Sequence, residues 1–426
     1  MDFDLPVELQ HLLGRLDDFI ATVIKPLEQQ DDNIRFFDHR REYERTDWAR
    51  GGIPRAEWEE LLHKAKRLAD NAGFYRYPFP KQYGGMDGTN LGMAVIREHL
   101  AAKGLGLHND LQNEHSIVGN NIQLLLMLHH GSERQKADWV DDLAEDRRDF
   151  AVGITEPNHG SDATHMETHA VREGAHWIIN GEKIWNTGVH RASHDLILAR
   201  TAGQPGDADG ITAFLVPMNT PGVRVEEYLW TLNMPSDHGR VSLTDVRVPH
   251  DCIFGGEGRG LHVIQTFFNE NRIRQAASSL GAAQYCIDQT VQHALERKPF
   301  GKPLAANQAV QFPLAELHTQ CEMLRALIHK TAWQMDRYGA FSVSDKVSMC
   351  NFWANRLCCE AADKAMQLHG GMGYSRHKPF EHIYRHHRRY RITEGAEEIQ
   401  LRRVAGYLFG FMAHRAPKGV VHETQA

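Results

Sequence analysis

The apolar pattern predicts an α+β multidomain protein, with an N-terminal helical domain, a middle β-barrel or sandwich domain and a C-terminal four-helix bundle. Three observations carry this. Helical periodicity governs the first third of the chain, short β-type runs separated by turn residues begin near Phe150, and long periodic stretches return past Gly260. The expected domains are 1–148, 149–262 and 263–416, followed by a polar tail at 417–426.

In the first domain Leu9, Leu12, Leu13, Leu16, Ile20, Val23 and Ile24 fall on one helix face, with Pro26 near its end. Residues 33–52 are polar and charge-rich and read as a surface excursion. Trp58, Leu61, Leu62, Ala65, Leu68 and Ala69 give a second stripe, which Gly73 stops. A helix over 91–102 follows the Tyr83-Gly84-Gly85 turn. Another runs over 122–128, and Gly131-Ser132-Glu133 opens the next.

In the middle domain Trp177-Ile178-Ile179 and Lys183-Ile184-Trp185 flank Asn180-Gly181, which predicts a tight hairpin. Residues 196–198, 212–216 and 241–248 are further strands, and 203–210 is a Gly/Asp-rich loop. Four long helices, at 267–295, 314–338, 344–368 and 398–411, then suggest a bundle.

Composition narrows the function. Among 426 residues, 42% are hydrophobic and 24% charged, which is ordinary globular usage. The net charge of −7 suggests no nucleic-acid partner. No apolar run reaches the roughly 18–20 residues of a membrane span. The start, MDFDLPVELQ, reads as neither a secretory signal nor a transit peptide. Six cysteines without a CxxC pair read as reduced thiols, and the expected location is cytoplasmic.

Five segments carry chemistry. They are Ile154-Thr155-Glu156-Pro157-Asn158-His159-Gly160-Ser161-Asp162, Gly181-Glu182-Lys183-Ile184-Trp185-Asn186-Thr187, Glu296-Arg297-Lys298-Pro299-Phe300-Gly301 with Gln308, Gln367-Leu368-His369-Gly370-Gly371-Met372-Gly373-Tyr374, and Glu394-Gly395-Ala396-Glu397-Glu398-Ile399-Gln400. In this order and spacing they resemble the acyl-CoA dehydrogenase family across almost the whole chain. The resemblance implies an FAD enzyme that puts a 2,3-double bond into an acyl-CoA thioester. It also implies a homotetramer or homodimer and an electron-transfer flavoprotein as acceptor.

The resemblance assigns Ile154, Thr155, Gly160, Ser161, Trp185 and Thr187 to the flavin. Turn backbone and the Thr155 and Thr187 hydroxyls suit the polar edge of the ring, and Trp185 suits a wall; alone, Trp185 would read as strand core, and the neighbouring motifs reverse that reading. Arg297, Gly370 and Gly371 suit a pyrophosphate, because arginine offers a fixed fork and glycine lets backbone N–H groups approach an anion. Phe300, Asn307, Gln308 and Gln367 join them, and by resemblance Arg297 and Phe300, with the residues from Gln367 to Gly371, are expected to meet the flavin of a neighbouring subunit. Ala396 and Glu398 are assigned to the cofactor as well. Ser161, Asn269, Arg272, Thr393 and Gly395 are assigned to the acyl-CoA.

Glu394 is the expected catalytic base. Removing the α-proton of a thioester needs a base beside Cα, and a carboxylate in a closed, dry site gains the proton affinity it lacks in water. The developing charge on the thioester oxygen needs donors placed beforehand, which the resemblance assigns to the Glu394 backbone N–H and a flavin ribityl hydroxyl. Without the other motifs Glu394 would read as a helix-terminal acid, with Glu397 and Glu398. His382 and His386 form an i, i+4 pair, yet no carboxylate completes a ligand set, so no metal is expected.

Several positions depart from the family pattern. Thr393 replaces an aromatic, Ala396 a threonine, Asn269 an aspartate and His386 an aspartate, and residues 33–52 are inserted. Thr393 opens space near the reacting carbons, which leaves the acyl group undefined. Some relatives place the base where Asn271 stands, and an amide cannot serve. Rival readings are an acyl-CoA oxidase, a flavin monooxygenase of the same fold (which lacks this glutamate) and a non-catalytic acyl-CoA or flavin-binding module.

Overall fold

The computed structural model describes residues 4–109, 115–119 and 121–412. The expected polar tail at 417–426 lies outside them. The chain divides into a largely helical unit, Met1–Arg40 with Lys64–Gly119 and Asn269–Ala426, and a unit built round a β-sheet, Arg41–His63 with Asn120–Phe268.

The helical unit opens with Val7–Phe19, continued by a π-helical turn, Ile20–Ile24, and by Lys25–Gln29. Pro26 follows directly on the π-helical turn, an irregularity in the helix ladder where proline's missing N–H is accommodated. Leu9, Leu12, Leu16, Phe19, Ile20 and Ile24 are buried, and Leu13 and Val23 are half-buried. Helix Asn90–Ala101 starts on a Thr89 cap, whose hydroxyl accepts the Gly92 N–H at 3.0 Å. A Cβ on Gly281 would meet the Glu98 carbonyl at 2.1 Å, so glycine is what lets these two helix backbones touch.

The bundle helices are Gly260–Glu296, Gln308–Tyr338, Ser344–His369 and Glu397–Leu408. Their core joins Ala277, Leu280, Leu324, Ile328, Leu357 and Ala361. Cys286, Cys321, Cys350 and Cys358 lie in it, and burial pushes the Cys321 and Cys350 thiols up to about 12. The first bundle helix begins before the predicted 267, because Val263 and Ile264 extend its buried face. One more helix, Phe380–Arg388, has no counterpart in the sequence reading. It buries His382, His386 and His387 beside Phe380 and Ile383, and polar lettering hides such a face. No group of three potential metal ligands forms among the described residues. No described helix is long and apolar enough to cross a membrane.

The second unit carries an eight-stranded sheet in the order Ile253–Phe254, Ile211–Pro217, His194–Arg200, His169–Glu173, His176–Thr187, His238–Pro249 and Val223–Tyr228, with Phe150–Gly153 parallel to His194–Arg200. Trp177, Ile179, Ile197, Phe214, Val216, Val241 and Val246 form its core.

Two expectations are corrected here. Asn180-Gly181 is not a turn: His176–Thr187 is one strand, paired along its length with His238–Pro249. A Cβ on Gly181 would meet Thr168 Oγ1 at 2.3 Å, so the glycine serves a close approach. The Asn180 side chain brackets a bulge opposite, accepting from Asp245 N at 2.8 Å and donating to Asp245 Oδ1 at 3.1 Å. Residues 33–52 are not a mere surface excursion either. Arg45 and Thr46 are buried, and Thr46–Asp47 pairs with Ile53–Pro54. The Trp230 indole donates to the Gly51 carbonyl at 2.9 Å and meets Trp48 edge-on, which ties the insertion to the 229–236 segment.

Candidate active site

In the β unit, the motif loop and the motif strand are tied by buried charge. Ile184 N–H donates to the Thr155 carbonyl at 2.9 Å. Lys183 Nζ donates to Glu156 Oε1 at 2.8 Å and to the Ile154 carbonyl at 3.2 Å. Glu156 also accepts the Glu167 and Thr168 N–H groups, at 2.5 and 2.9 Å. Burial pushes the Lys183 ammonium down to about 8, while Glu156 and Asp195 pull it back. Burial also works against the Glu156 charge, but Lys183 outweighs it and holds the carboxyl below the usual range. Asn186 donates to Asp195, whose carboxyl burial raises to about 7. Gly153 makes room for this network: a Cβ there would meet Asn186 Nδ2 at 2.7 Å.

Trp185 is the extra residue of a β-bulge. Ile184 and Asn186 pair with the consecutive residues Arg240 and Gly239, leaving Trp185 between them at φ +71°. Its indole is 46% exposed and meets the His238 ring edge-on at 6.0 Å. The Thr187 hydroxyl shares a hydrogen bond with His238 Nδ1 at 2.9 Å. Gly160 and Ser161 are exposed, and Ile154 and Thr155 are half-buried.

In the helical unit, Glu394 precedes helix Glu397–Leu408 with φ +51°, followed by Gly395 at φ +94°. Its carboxylate accepts from Asn271 Nδ2 at 3.0 Å and from Gln275 Nε2 at 2.6 Å. Its carbonyl accepts two N–H groups of Arg272, Nε at 3.0 Å and Nη2, and one from Gln400 Nε2 at 3.1 Å. Gln400 also donates to the Gly395 carbonyl at 2.7 Å and accepts from Ser348. The buried Arg272 therefore grips the Glu394 main chain. Burial and the nearby Arg403 lower its guanidinium to about 9, with Glu394 opposing. Asn269 on the same helix is fully buried, and neither amide heavy atom has a hydrogen-bond partner among the described residues. Thr393 is half-buried. Ala396 stands at the N-cap with no side chain to cap it. Glu398 is exposed, whereas Glu397 pairs with Arg391 and Arg356, which hold its carboxyl down to about 2.

A third group flanks the ends of three bundle helices. Arg297, Phe300, Asn307, Gln308, Gln367, Gly370 and Gly371 are all exposed. His293 and His369 stack at 4.2 Å, and Leu368 packs against Ala294, Val310 and Leu314, which gathers these helix ends. Phe300 is fully exposed at φ +53°.

Apart from glycine, left-handed backbone among the described residues occurs at Asp31, Asp32, Asp87, Asp146 and Asp245, and at Trp185, Phe300 and Glu394. Aspartate tolerates that region; the other three do not, and strain of about 1–3 kcal/mol each persists only where surrounding structure enforces it. All three were singled out from sequence. Asn271, Gln275, Glu156, Lys183, Asp195 and His238 were given no role there. A lysine inside the Gly181–Thr187 motif was the one local signal available.

Residues 8–147, 151–246 and 258–409 match the N-terminal, middle and C-terminal domains of acyl-CoA dehydrogenases. An acyl-CoA dehydrogenase of Bacillus subtilis (strain 168) is 32% identical over 79% of this chain and 87% of its own length. The caffeyl-CoA reductase-Etf complex subunit CarC of Acetobacterium woodii is 29% identical over 82% and 89%. A solved glutaryl-coenzyme A dehydrogenase in complex with glutaryl-CoA is 28% identical, with a TM-score of 0.80 over 99% of this chain and 100% of that one. With all three domains matched in order, the chain belongs to the acyl-CoA dehydrogenase family of FAD-dependent oxidoreductases.

Proposed function

We propose that the chain oxidises an acyl-CoA thioester to the trans-2-enoyl-CoA, with Glu394 taking the α-proton. The observation that carries this reading is the strained, over-determined Glu394: a helix-terminal acid would need neither left-handed backbone nor five donors on its carbonyl and carboxylate. The donor set also fits a flavin. Thr155 and Thr187 offer hydroxyls, Trp185 an exposed face, and Gly370 and Gly371 open backbone where a Cβ would meet nothing within 4 Å. Bound there, FAD would supply the two-electron acceptor for the hydride that leaves Cβ.

The chain's own residues bind, orient and deprotonate. Glu394 accepts the proton while its backbone N–H faces the thioester oxygen, the role assigned from the resemblance. Arg272 and Gln400 pin the following peptide. Arg272, assigned to the acyl-CoA by resemblance, also holds the base through the Glu394 carbonyl. Asn269, with its unpartnered amide, is the buried group for which an acyl-CoA hydrogen bond has the clearest physical motive. Ser161 and Gly395 belong to the acyl-CoA by resemblance alone. Arg297, Phe300, Asn307, Gln308, Gln367, Gly370 and Gly371 suit the flavin of a second copy, as the resemblance implies, and all are exposed. Ala396 and Glu398 belong to the cofactor by resemblance alone.

An electron-transfer flavoprotein is the proposed acceptor, and a dimer or tetramer the proposed assembly. The relative named as a reductase points to the reverse reaction on the same atoms.

The test is a screen of acyl-CoA thioesters for anaerobic bleaching of the bound flavin. Bleaching by at least one saturated thioester is expected. Purified protein that holds no flavin after reconstitution would overturn the reading. Peroxide in stoichiometric yield during aerobic turnover would assign an oxidase instead, and reoxidation of chemically reduced flavin by enoyl thioesters alone would assign a reductase. Thr393→Tyr should narrow the profile toward unbranched acyl groups; an unaltered profile would remove Thr393 from the pocket.

A further inference from the structure

Each oxygen of the Glu394 carboxylate accepts a hydrogen bond from a neutral amide on helix Gly260–Glu296. Asn271 reaches Oε1 at 3.0 Å and Gln275 reaches Oε2 at 2.6 Å. Positions i and i+4 share a helix face, so one helix presents both donors. Asn351 Nδ2, on helix Ser344–His369, donates to Gln275 Oε1 at 3.3 Å and to the Arg272 carbonyl at 3.2 Å. That contact fixes which end of the Gln275 amide faces the base.

Charged groups nearby are engaged elsewhere. Arg272 bonds the Glu394 carbonyl, and Arg403 from helix Glu397–Leu408 repels Arg272. Glu397 is closed with Arg391 and Arg356, and helix Ser344–His369 brings neutral Ser348 and Asn351 to this cluster.

We propose that Asn271 and Gln275 are positioning residues, a neutral amide clamp that sets the orientation of the Glu394 carboxylate and the pH at which it works. The proposal rests on Glu394 being the base. A cation in their place would hold the carboxylate charged by direct attraction and leave it a poor proton acceptor. Apolar groups would leave it free to rotate and ready to take a proton from solvent before substrate arrives. Two amides orient it without placing a full positive charge beside it.

The test uses the FAD-loaded enzyme. The rate of flavin reduction by a bleaching thioester is measured against pH in wild type, Gln275→Met, Asn271→Leu and Asn351→Leu. Removing one donor to a charged acceptor should move the acid limb of the profile upward by about one to two pH units. Asn351→Leu, which leaves both contacts to Glu394 in place, should shift it less and in the same direction. Enoyl thioester affinity should stay near wild type in Asn351→Leu, while its thermal midpoint falls because the Gln275 Oε1 and the Arg272 carbonyl lose a buried donor. An infrared carboxylic-acid band absent from Glu394→Gln should titrate in parallel, without substrate.

An unmoved acid limb and unmoved band in flavin-retaining Gln275→Met and Asn271→Leu would overturn the clamp. If those two variants fail to fold, an Asn351→Leu profile superimposable on wild type does the same. Glu394→Gln separates the two claims: inactive Glu394→Gln with unshifted clamp variants removes only the clamp, whereas active Glu394→Gln removes the base itself.

Discussion

Trp185 and Glu394 share a left-handed backbone but are held by opposite chemistry. Beneath Trp185 lie charges sealed from water: the Lys183 and Glu156 side chains are 0% and 3% exposed, and Asp195 is buried beside Asn186. Around the Glu394 carboxylate the donors among the described residues are neutral amides, and the cation Arg272 grips the carbonyl. The difference follows from what each residue is proposed to do. A flavin wall keeps one charge state throughout turnover, so fixed ions can hold it. A base changes charge in every cycle, and a bonded cation would oppose half of that cycle.

The contrast can be broken by removing the ion pair. Lys183→Met strands the Glu156 carboxylate, and breaking a buried pair costs about 3–5 kcal/mol. Adding Glu156→Gln should recover most of it. A loss below roughly 1 kcal/mol in denaturant unfolding, the worth of a surface pair, would mean that the pair is not sealed.

The helical site sharpens the contrast with a gain. Asn269→Leu removes a buried amide that lacks partners and should raise stability by about 1–3 kcal/mol. Thioester affinity should fall in the same variant. Higher stability with unchanged affinity would remove Asn269 from the substrate site.

The smallest effect concerns pH. Burial, aided by His129 and Arg148 respectively, holds His130 and His194 at about 4 against an ordinary 6.5. Between those values the unfolded chain binds protons that the folded chain refuses, so stability falls as pH falls. Asp195 works the other way. Burial raises it from 3.8 to about 7, so its folded form keeps a proton that the unfolded form has lost, and stability falls as pH rises through that window. The two trends partly cancel. Asp195→Asn should therefore steepen the loss of stability from pH 6.5 toward about 4 in urea unfolding. An equal slope in both proteins would contradict the buried Asp195.

Sequence made the two regions legible to different degrees. Glu394, Trp185 and Phe300 stood in motifs, and the three-part fold showed in periodicity. The clamp did not show, because Asn271 and Gln275 lie far from Glu394 in sequence and read as polar letters in a helix. Asn180-Gly181 misled for a related reason. Its local signature is a turn, and only the strand opposite reveals a glycine fitted to Thr168 and an asparagine fitted to a bulge. Phe380–Arg388 was hidden because its buried face is made of histidines.

The base assignment is tested most directly by flavin reduction in Glu394→Gln, mixed anaerobically with the thioester that bleaches wild type fastest. Glutamine keeps the shape and the backbone N–H, so the thioester should still bind and perturb the flavin spectrum, and dithionite should still reduce it. Reduction by substrate should slow by roughly 10²–10⁴-fold, the usual contribution of a general base. Reduction at the wild-type rate would show that Glu394 takes no proton and that its strained backbone serves some other end.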